Sequence, residues 1–434
     1  MIRVLVVALV ATTLALAGAV GVARQSPDDA PATIGSVPST LPAGADVSGL
    51  VSSLQDRLRA VPADDTAWSA LALAYVEQAR VNGDGSLYAR AGRAVRRALA
   101  LRPEDNPPAL AAGAALAAAR HDFDDALRQA DRALTLNPYQ PVALAIRVDA
   151  LTELGRYGDQ LDAVRQADRR QPGVPVAIRY AYALELRGDL AGAVAVLRRS
   201  VSSTGLGERA HLLTLVADLE RRRGRLTQAR DALAEARALA PGYVPALVSS
   251  ARLATATGRP EVATRRWEAA VAALPLPEYL VELGELHLSQ GRPSQARAQF
   301  AVVEAATRLL ADGGVNTDLE TALFEADHGS VGAALAGARA EWQRRRSVHV
   351  ADALGWALFR AGRPEQALPL LRRATRLGTA EPRFWLHRGT VEAALGLDRP
   401  ARRHLAAGLA MDAGQSPWQA ARATAVLEDL EEAR

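Results

Sequence analysis

The sequence predicts an all-α fold, a right-handed α-solenoid of about ten helix hairpins with a capping helix at each end. Three observations predict it. Hydrophobic residues make up 49% of the chain but aromatics only 4%, so alanine, leucine and valine build the core, which suits closely packed helices better than β-sheet. A phrase of glycine, four residues and then usually alanine recurs at Gly188/Ala193, Gly224/Ala229, Gly258/Ala263, Gly291/Ala296, Gly329/Ala334, Gly362/Ala367 and Gly396/Ala401, with Gly155/Gln160 as a variant. From Gly155 onward the steps between these glycines are 33, 36, 34, 33, 38, 33 and 34 residues. A second series, Pro103, Pro138, Pro172, Pro241 and Pro275, follows apolar helical stretches and keeps the same phase. A fixed period of this length marks an array of supersecondary units.

Residues 1–23 form a separate element. Arg3 precedes an uncharged apolar run from Val4 to Ala23 that ends in small residues, the pattern of a secretory signal peptide. Cleavage after Ala19 and after Ala23 both fit a small-x-small site. The alternative is an uncleaved N-terminal membrane anchor, since twenty helical residues span roughly 30 Å. Both readings send the remainder out of the cytoplasm and place it in the cell envelope or outside the cell. Residues 24–46 carry Pro27, Pro31, Pro38 and Pro42 among Ser, Thr and Gly and read as a disordered linker. Residues 47–61 place Leu50, Val51, Leu54 and Leu58 on one helical face, an N-terminal cap. Ser416-Pro417 opens a C-terminal capping helix over 416–434, whose charged end, Glu428-Asp429 and Glu431-Glu432, gives the solenoid a soluble terminus.

Between them, residues 62–415 read as helix hairpins. In Val348–Thr375, Leu354, Gly355 and Leu358 share one face. Gly362 ends that helix, Pro364 opens the next, and Ala367, Leu371 and Ala374 form its stripe. Small residues at Gly355 and Ala367 let the two helices approach closely. One hairpin cannot bury both faces alone, so stacking supplies the core.

These residues resemble the tetratricopeptide repeat, whose pattern runs Trp-x2-Leu-Gly-x2-Tyr, then Ala-x3-Phe-x2-Ala-x4-Pro. Trp68, Leu71, Ala72 and Tyr75 open the first full repeat, and Ala91, Val95, Ala98 and Pro103 close it, with about seven extra residues around Asn82–Tyr88. Leu283, Gly284, Ala296 and Phe300 repeat the pattern, as do Trp385, Gly389, Ala401 and Leu405. The resemblance covers roughly Asp64 to Met411. Departures are His121 in place of a turn glycine, and Glu220 and Glu392 in place of late apolar residues, which suggests looser hairpins there. Phrases such as Leu274–Tyr279 and Gly314–Glu320 further resemble exported tetratricopeptide proteins of high-GC bacteria. That likeness narrows the compartment more than the function.

Chemistry is sparse. The 52 basic residues are all arginine and cysteine is absent, which excludes Schiff-base and P-loop lysines, disulfides and thiol nucleophiles. No HExxH pair or Gly-x-Ser-x-Gly elbow occurs, so no enzymatic activity, cofactor or metal is expected. The one cluster that argues otherwise is Asp318, Glu320, Glu325, Asp327 and His328, an alternative metal-binding or catalytic site; a solvated helix face is the plainer reading. Arg221-Arg222-Arg223 and Arg344-Arg345-Arg346 are basic runs, but a net charge of +4 and few aromatics argue against nucleic acid.

What remains is a surface. The resemblance implies that first helices line a concave groove that grips a protein or peptide partner. By position it assigns Asp149, Tyr182, Glu185, Asp218, Arg221, Glu285, Asp352, Trp356 and Phe359 to that groove. The carboxylate-clamp variety, which uses lysines and asparagines, does not fit a chain without lysine. The expectation is a non-enzymatic interaction scaffold, with a passive surface spacer as the other alternative.

Overall fold

In the computed structural model the described residues are 47–82, 84–202, 204–312, 318–412 and 416–432. The segments read from the sequence as a signal peptide or anchor (1–23) and a linker (24–46) lie outside them. The described residues form 22 α-helices and no strand.

Helix α1 (Val47–Ala60) packs Val51, Leu54 and Leu58 against the first hairpin. Ten antiparallel pairs follow. Repeat 1 is α2 (Asp65–Asn82) with α3 (Leu87–Leu101), repeat 2 is α4 (Pro107–Ala119) with α5 (Phe123–Leu136), and repeat 3 is α6 (Pro141–Glu153) with α7 (Tyr157–Arg170). Repeat 4 is α8 (Val174–Glu185) with α9 (Leu190–Val201), repeat 5 is α10 (Leu206–Arg222) with α11 (Leu226–Leu239), and repeat 6 is α12 (Val244–Ala256) with α13 (Pro260–Ala273). Repeat 7 is α14 (Pro277–Ser289) with α15 (Pro293–Asp312), and repeat 8 is α16 (Asp318–His328) with α17 (Val331–Arg344). Repeat 9 is α18 (Val348–Arg360) with α19 (Pro364–Ala374), and repeat 10 is α20 (Pro382–Ala394) with α21 (Asp398–Asp412). Helix α22 (Pro417–Glu432) closes the chain. The all-α solenoid expected from the period is the one observed. Among the described residues no helix is long and apolar enough to cross a membrane.

Local chemistry sets these boundaries. Asn106, Asp122, Asp189, Ser330 and Ser347 each accept a backbone N–H of the helix they precede, satisfying donors the first turn leaves open. Proline opens α4, α6, α8, α12, α14, α19 and α20, where its missing N–H costs nothing. Within the hairpins, Gly155, Gly188, Gly224, Gly258, Gly291, Gly362 and Gly396 are left-handed, with φ between 66° and 75°. His121 takes the same conformation at φ 61°, so the hairpin geometry is imposed on a residue that does not favour it. Gly329 is not left-handed; there Glu325 accepts the Ser330 N–H instead.

The repeat core is alanine on the second helices and leucine between them. Ala126, Ala130 and Ala133 of α5 are each 0% exposed, and such methyl faces let helices pack at close range. At Gly355 an added Cβ would lie 2.8 Å from Leu371 Cγ, so the close approach read from the sequence is real. Glu220 and Glu392 do not loosen their hairpins. Both are buried, Glu220 with Arg223 at 2.9 Å and Glu392 with Arg388 at 2.9 Å and His404 at 2.5 Å, so each carboxylate is satisfied where an apolar side chain was expected.

The row also curls until its edges meet. The turns inside repeats 3 and 4 sit against the connections that join repeats 8 to 9 and 9 to 10. The Arg346 N–H donates to the Glu153 carbonyl at 3.2 Å, the Val348 N–H to the Tyr157 hydroxyl at 2.7 Å, and the Thr379 hydroxyl to the Leu186 carbonyl at 2.6 Å. Tyr157, Leu186, Val348, Ala351, Ala374 and Phe384 form an apolar cluster across this seam. Gly155 and Gly188 are required twice: they are left-handed, and an added Cβ would fall 2.5 Å from the Arg346 carbonyl oxygen and 2.6 Å from that of Gly378.

Candidate partner-binding face

The first helices of the hairpins carry the residues assigned to the groove, and their environments fall into two groups. Asp149, Arg221, Glu285, Asp352 and Trp356 are buried, whereas Tyr182, Glu185, Asp218 and Phe359 are partly exposed. Helix propensity and the 34-residue period put all nine on first helices. Their partners decide how much of each side chain is left for another molecule.

Asp149 accepts both guanidinium N–H groups of Arg179 at 2.7 Å. Burial pushes its carboxyl above the usual carboxylate range, and the Arg179 charge opposes that. Asp218 accepts the Ser249 hydroxyl at 2.8 Å. Arg252 pairs with Glu282, and Asp352, 0% exposed, accepts from His387 Nδ1 at 3.0 Å with Arg383 at 3.5 Å. The acceptor and donor of these pairs are 30, 31, 30 and 35 residues apart. Each joins one first helix to the next, so polar residues of the inner face brace neighbouring repeats. Arg221 lies inside this row with Asp218 at 3.7 Å. Burial lowers its guanidinium pKa to about 10, against the attraction of Asp218.

The aromatic candidates lie in the same network. Trp356 stacks on His387 with ring centroids 3.9 Å apart, and its indole N–H donates to Asp327 at 3.0 Å. Phe359 lies 5.2 Å from Trp356. Tyr182 meets His349 across the seam at 2.9 Å. Burial lowers the His349 pKa to about 4, with Arg383 adding repulsion, while burial raises that of Tyr182 well above the ordinary phenol value. The imidazole is therefore neutral, and it shares one hydrogen bond with the Tyr182 hydroxyl. Glu185 pairs with Arg222, which also donates to the Ala380 carbonyl at 2.6 Å.

A family model described as tetratricopeptide repeat matches residues 110–175, 249–309 and 353–416. The chain is a tetratricopeptide-repeat protein. No curated protein matches the sequence. Solved structures similar to it include a human IFIT1 dimer with PPP-AAAA, at 15% identity over 84% of this chain and 94% of that one, TM-score 0.42. The APC/C hetero-tetramer Cut9–Hcn1 is similar at 15% identity over 88% and 82%, TM-score 0.42. A tetratricopeptide repeat protein from Parabacteroides merdae is similar at 17% identity over 59% and 98%, TM-score 0.36.

The acidic cluster of this tetratricopeptide array disperses. The side chains of Asp318 and Glu320 lie outside the description. Glu325 caps the next helix, Asp327 goes to Trp356 and to Arg360 at 2.9 Å, and His328 goes to Glu285 at 3.1 Å. Among the described residues no three His, Asp or Glu side chains are grouped to hold a metal ion.

The basic runs are split: Arg221 and Arg345 are buried, whereas Arg344 and Arg346 stay exposed. Arg222 joins the seam and Arg223 pairs with Glu220. Arg345, 2% exposed, sits between Glu341 and Glu153, the latter at 3.0 Å. The Arg344 and Arg345 guanidinium groups hold the Glu341 carboxyl below its usual range despite burial.

Arg179, Glu282, Glu153 and His387 were assigned no role from the sequence, and Arg345 was named only as part of a basic run. For the inner face a signal existed: opposite charges recur about 30 residues apart on successive first helices. For Arg345 and Glu153, 192 residues apart, none did.

Proposed function

We propose that this protein is an exported, non-enzymatic interaction scaffold that binds a protein or peptide partner along the inner face of its repeats. Tetratricopeptide arrays serve as interaction scaffolds, and the observation that carries the reading here is a row of ten stacked hairpins whose first helices present polar and aromatic side chains. The partly exposed members, Tyr182, Glu185, Asp218 and Phe359, are the contacts we assign to the partner. The buried members keep the face in shape. Such a mixture of aromatic and charged residues suits a protein ligand. Export rests on the sequence alone: Arg3, the apolar run Val4–Ala23 and its small-residue end.

In-cell crosslinking of the tagged protein followed by mass spectrometry tests both parts. The proposal expects recurrent partner peptides crosslinked near Glu185 and Asp218, and a mature N-terminus after Ala19 or Ala23, or an intact segment held in the membrane. Recovery of the full N-terminus from the cytoplasm contradicts export. Absence of any recurrent partner contradicts the scaffold and favours a passive spacer.

A further inference from the structure

Helix α22 does more than cover the last hairpin. Its apolar stripe, Ala423, Val426, Leu427 and Leu430, packs on Leu386, Leu405 and Leu409 of repeat 10. Its N-terminal end reaches instead to repeats 7 and 8. The Ser416 hydroxyl donates to Glu285 Oε2 at 2.6 Å across 131 residues of chain. The Trp418 ring lies 4.7 Å from that of His328, and His328 stacks on Phe300 at 4.3 Å. The other oxygen of Glu285 holds His328 at 3.1 Å. The side chains of Glu285 and His328 are 7% and 6% exposed, so this is a formed site, with an aromatic wall and a buried carboxylate.

The occupant is held lightly. Ala423 is the one fully buried residue of α22, and Glu428, Asp429, Glu431 and Glu432 face solvent. Elements with few buried contacts open at low free energy. Amphipathic helices that dock in grooves use anchors at i, i+3, i+4 and i+7, commonly with an aromatic hot spot. Residues 423, 426, 427 and 430 have that spacing, with Trp418 as the aromatic anchor.

We propose that the inner face of repeats 7, 8 and 10 is a helix-binding site filled at rest by the chain's own α22. The partner it fits is an amphipathic helix that presents a hydroxyl residue, an aromatic residue two positions later and an apolar stripe. That partner binds by displacing α22, which makes the C-terminal helix an autoinhibitory contact. This rests on the scaffold reading and adds to it a second contact region, on repeats 7, 8 and 10, and the chemistry of the helix that region fits.

The probe is a synthetic peptide of residues 416–432 with a photoreactive phenylalanine analogue at the position of Trp418, added to the full-length protein. In the wild type the tethered α22 competes at an effective concentration on the order of millimolar, so labelling of α14–α16 is low. Trp418→Ala in the full chain weakens the competitor, and labelling there rises about five-fold or more at unchanged helicity. Adding Glu285→Gln, or separately His328→Ala, to Trp418→Ala returns labelling to the wild-type level. Equal labelling of the wild type and Trp418→Ala overturns the proposal, as does labelling that ignores both Glu285→Gln and His328→Ala. Cellular crosslinking near Glu185 and Asp218 is a separate readout. If it persists when the peptide result is negative, the autoinhibitory contact alone fails. If it is absent, the scaffold reading fails whatever the peptide does.

Discussion

Two long-range contacts hold this array in its curled form, and they differ in kind. At the seam between repeats 3–4 and 8–10, backbone carbonyls take part directly: that of Glu153 accepts the Arg346 N–H and that of Leu186 accepts the Thr379 hydroxyl. Gly155 and Gly188 leave no room for a side chain, and Arg345 is buried between two carboxylates. At the seat of α22 the contact is one aromatic ring, one hydroxyl, an apolar stripe and a bond from Arg402 to the Leu430 carbonyl, on a helix with a single buried residue. The seam consists of groups that become costly when separated, because each leaves a buried polar atom unpaired. The α22 seat consists of groups that water can take over. The first is therefore architecture, and the second is the place where the array can change.

The largest effect should come from the buried charge. Arg345→Met leaves Glu153 and Glu341 facing each other in the interior, and we expect a loss of about 3–5 kcal/mol in urea unfolding. A loss below about 1 kcal/mol, as at exposed ion pairs, would mean the seam is hydrated and would erase the contrast with α22.

Glycine substitutions sharpen the comparison. Gly188→Ala and Gly258→Ala both force alanine into the left-handed region, at about 1–2 kcal/mol. Only Gly188→Ala also drives a methyl into a carbonyl across the seam; nothing lies within 4 Å of the Cβ position at Gly258. Gly188→Ala should cost at least ~1 kcal/mol more than Gly258→Ala, read as the difference between their unfolding midpoints. Equal costs would show that the edges do not touch.

Acid tests the seam through His349, and its surroundings through His121, which feels the charge of Arg345. His121 and His349 have pKa values lowered to about 4 from the ordinary 6.5, with burial as the first cause and Arg345 or Arg383 as the second. Both stay neutral in the fold while the unfolded chain protonates below 6.5. Their contribution is complete above pH 6.5 and is lost as pH falls from 6.5 toward 4, on the order of 2–3 kcal/mol for each. Urea unfolding at pH 7 and pH 4.5 should show that loss, and His349→Phe should reduce it. An unchanged pH dependence in His349→Phe would place that ring in water.

The smallest effect belongs to α22. Ser416→Ala removes a helix cap and the bond to Glu285, at about 1 kcal/mol, and hydrogen exchange should show faster opening of α22 with the seam unaffected. Faster exchange at both contacts would mean that they form one cooperative unit.

The repeats were legible because their determinants are local and periodic. Gly224 or Gly362 ends a helix wherever it stands, and Pro277 or Pro382 opens the next, so hairpin number and phase follow from spacing. The inner face was legible in position but not in state. Asp149 and Asp352 were placed on first helices correctly, yet their burial depends on Arg179 and His387 one repeat onward, a pairing visible only as charge complementarity near 30 residues. Glu220 and Glu392 looked like defects because their partners, Arg223 and His404, stand outside the repeat pattern. The seam was not legible. Arg345 belongs to a run of three arginines that reads as solvent-facing, and neither it nor Tyr157 carries a mark of a partner some 190 residues away. Closure depends on the accumulated curvature of six hairpins, which no single repeat records.

The central claim, that the array is closed along this seam, is tested most directly by a distance across it. The chain has no cysteine, so exposed Asp159 of repeat 3 and exposed Arg372 of repeat 9 can each be replaced by cysteine and spin-labelled in the full-length protein. Pulsed electron resonance should return one short, narrow distance distribution, broadened toward long distances by Arg345→Met. A long or broad distribution in the otherwise unmodified chain would describe an open superhelix and contradict the account.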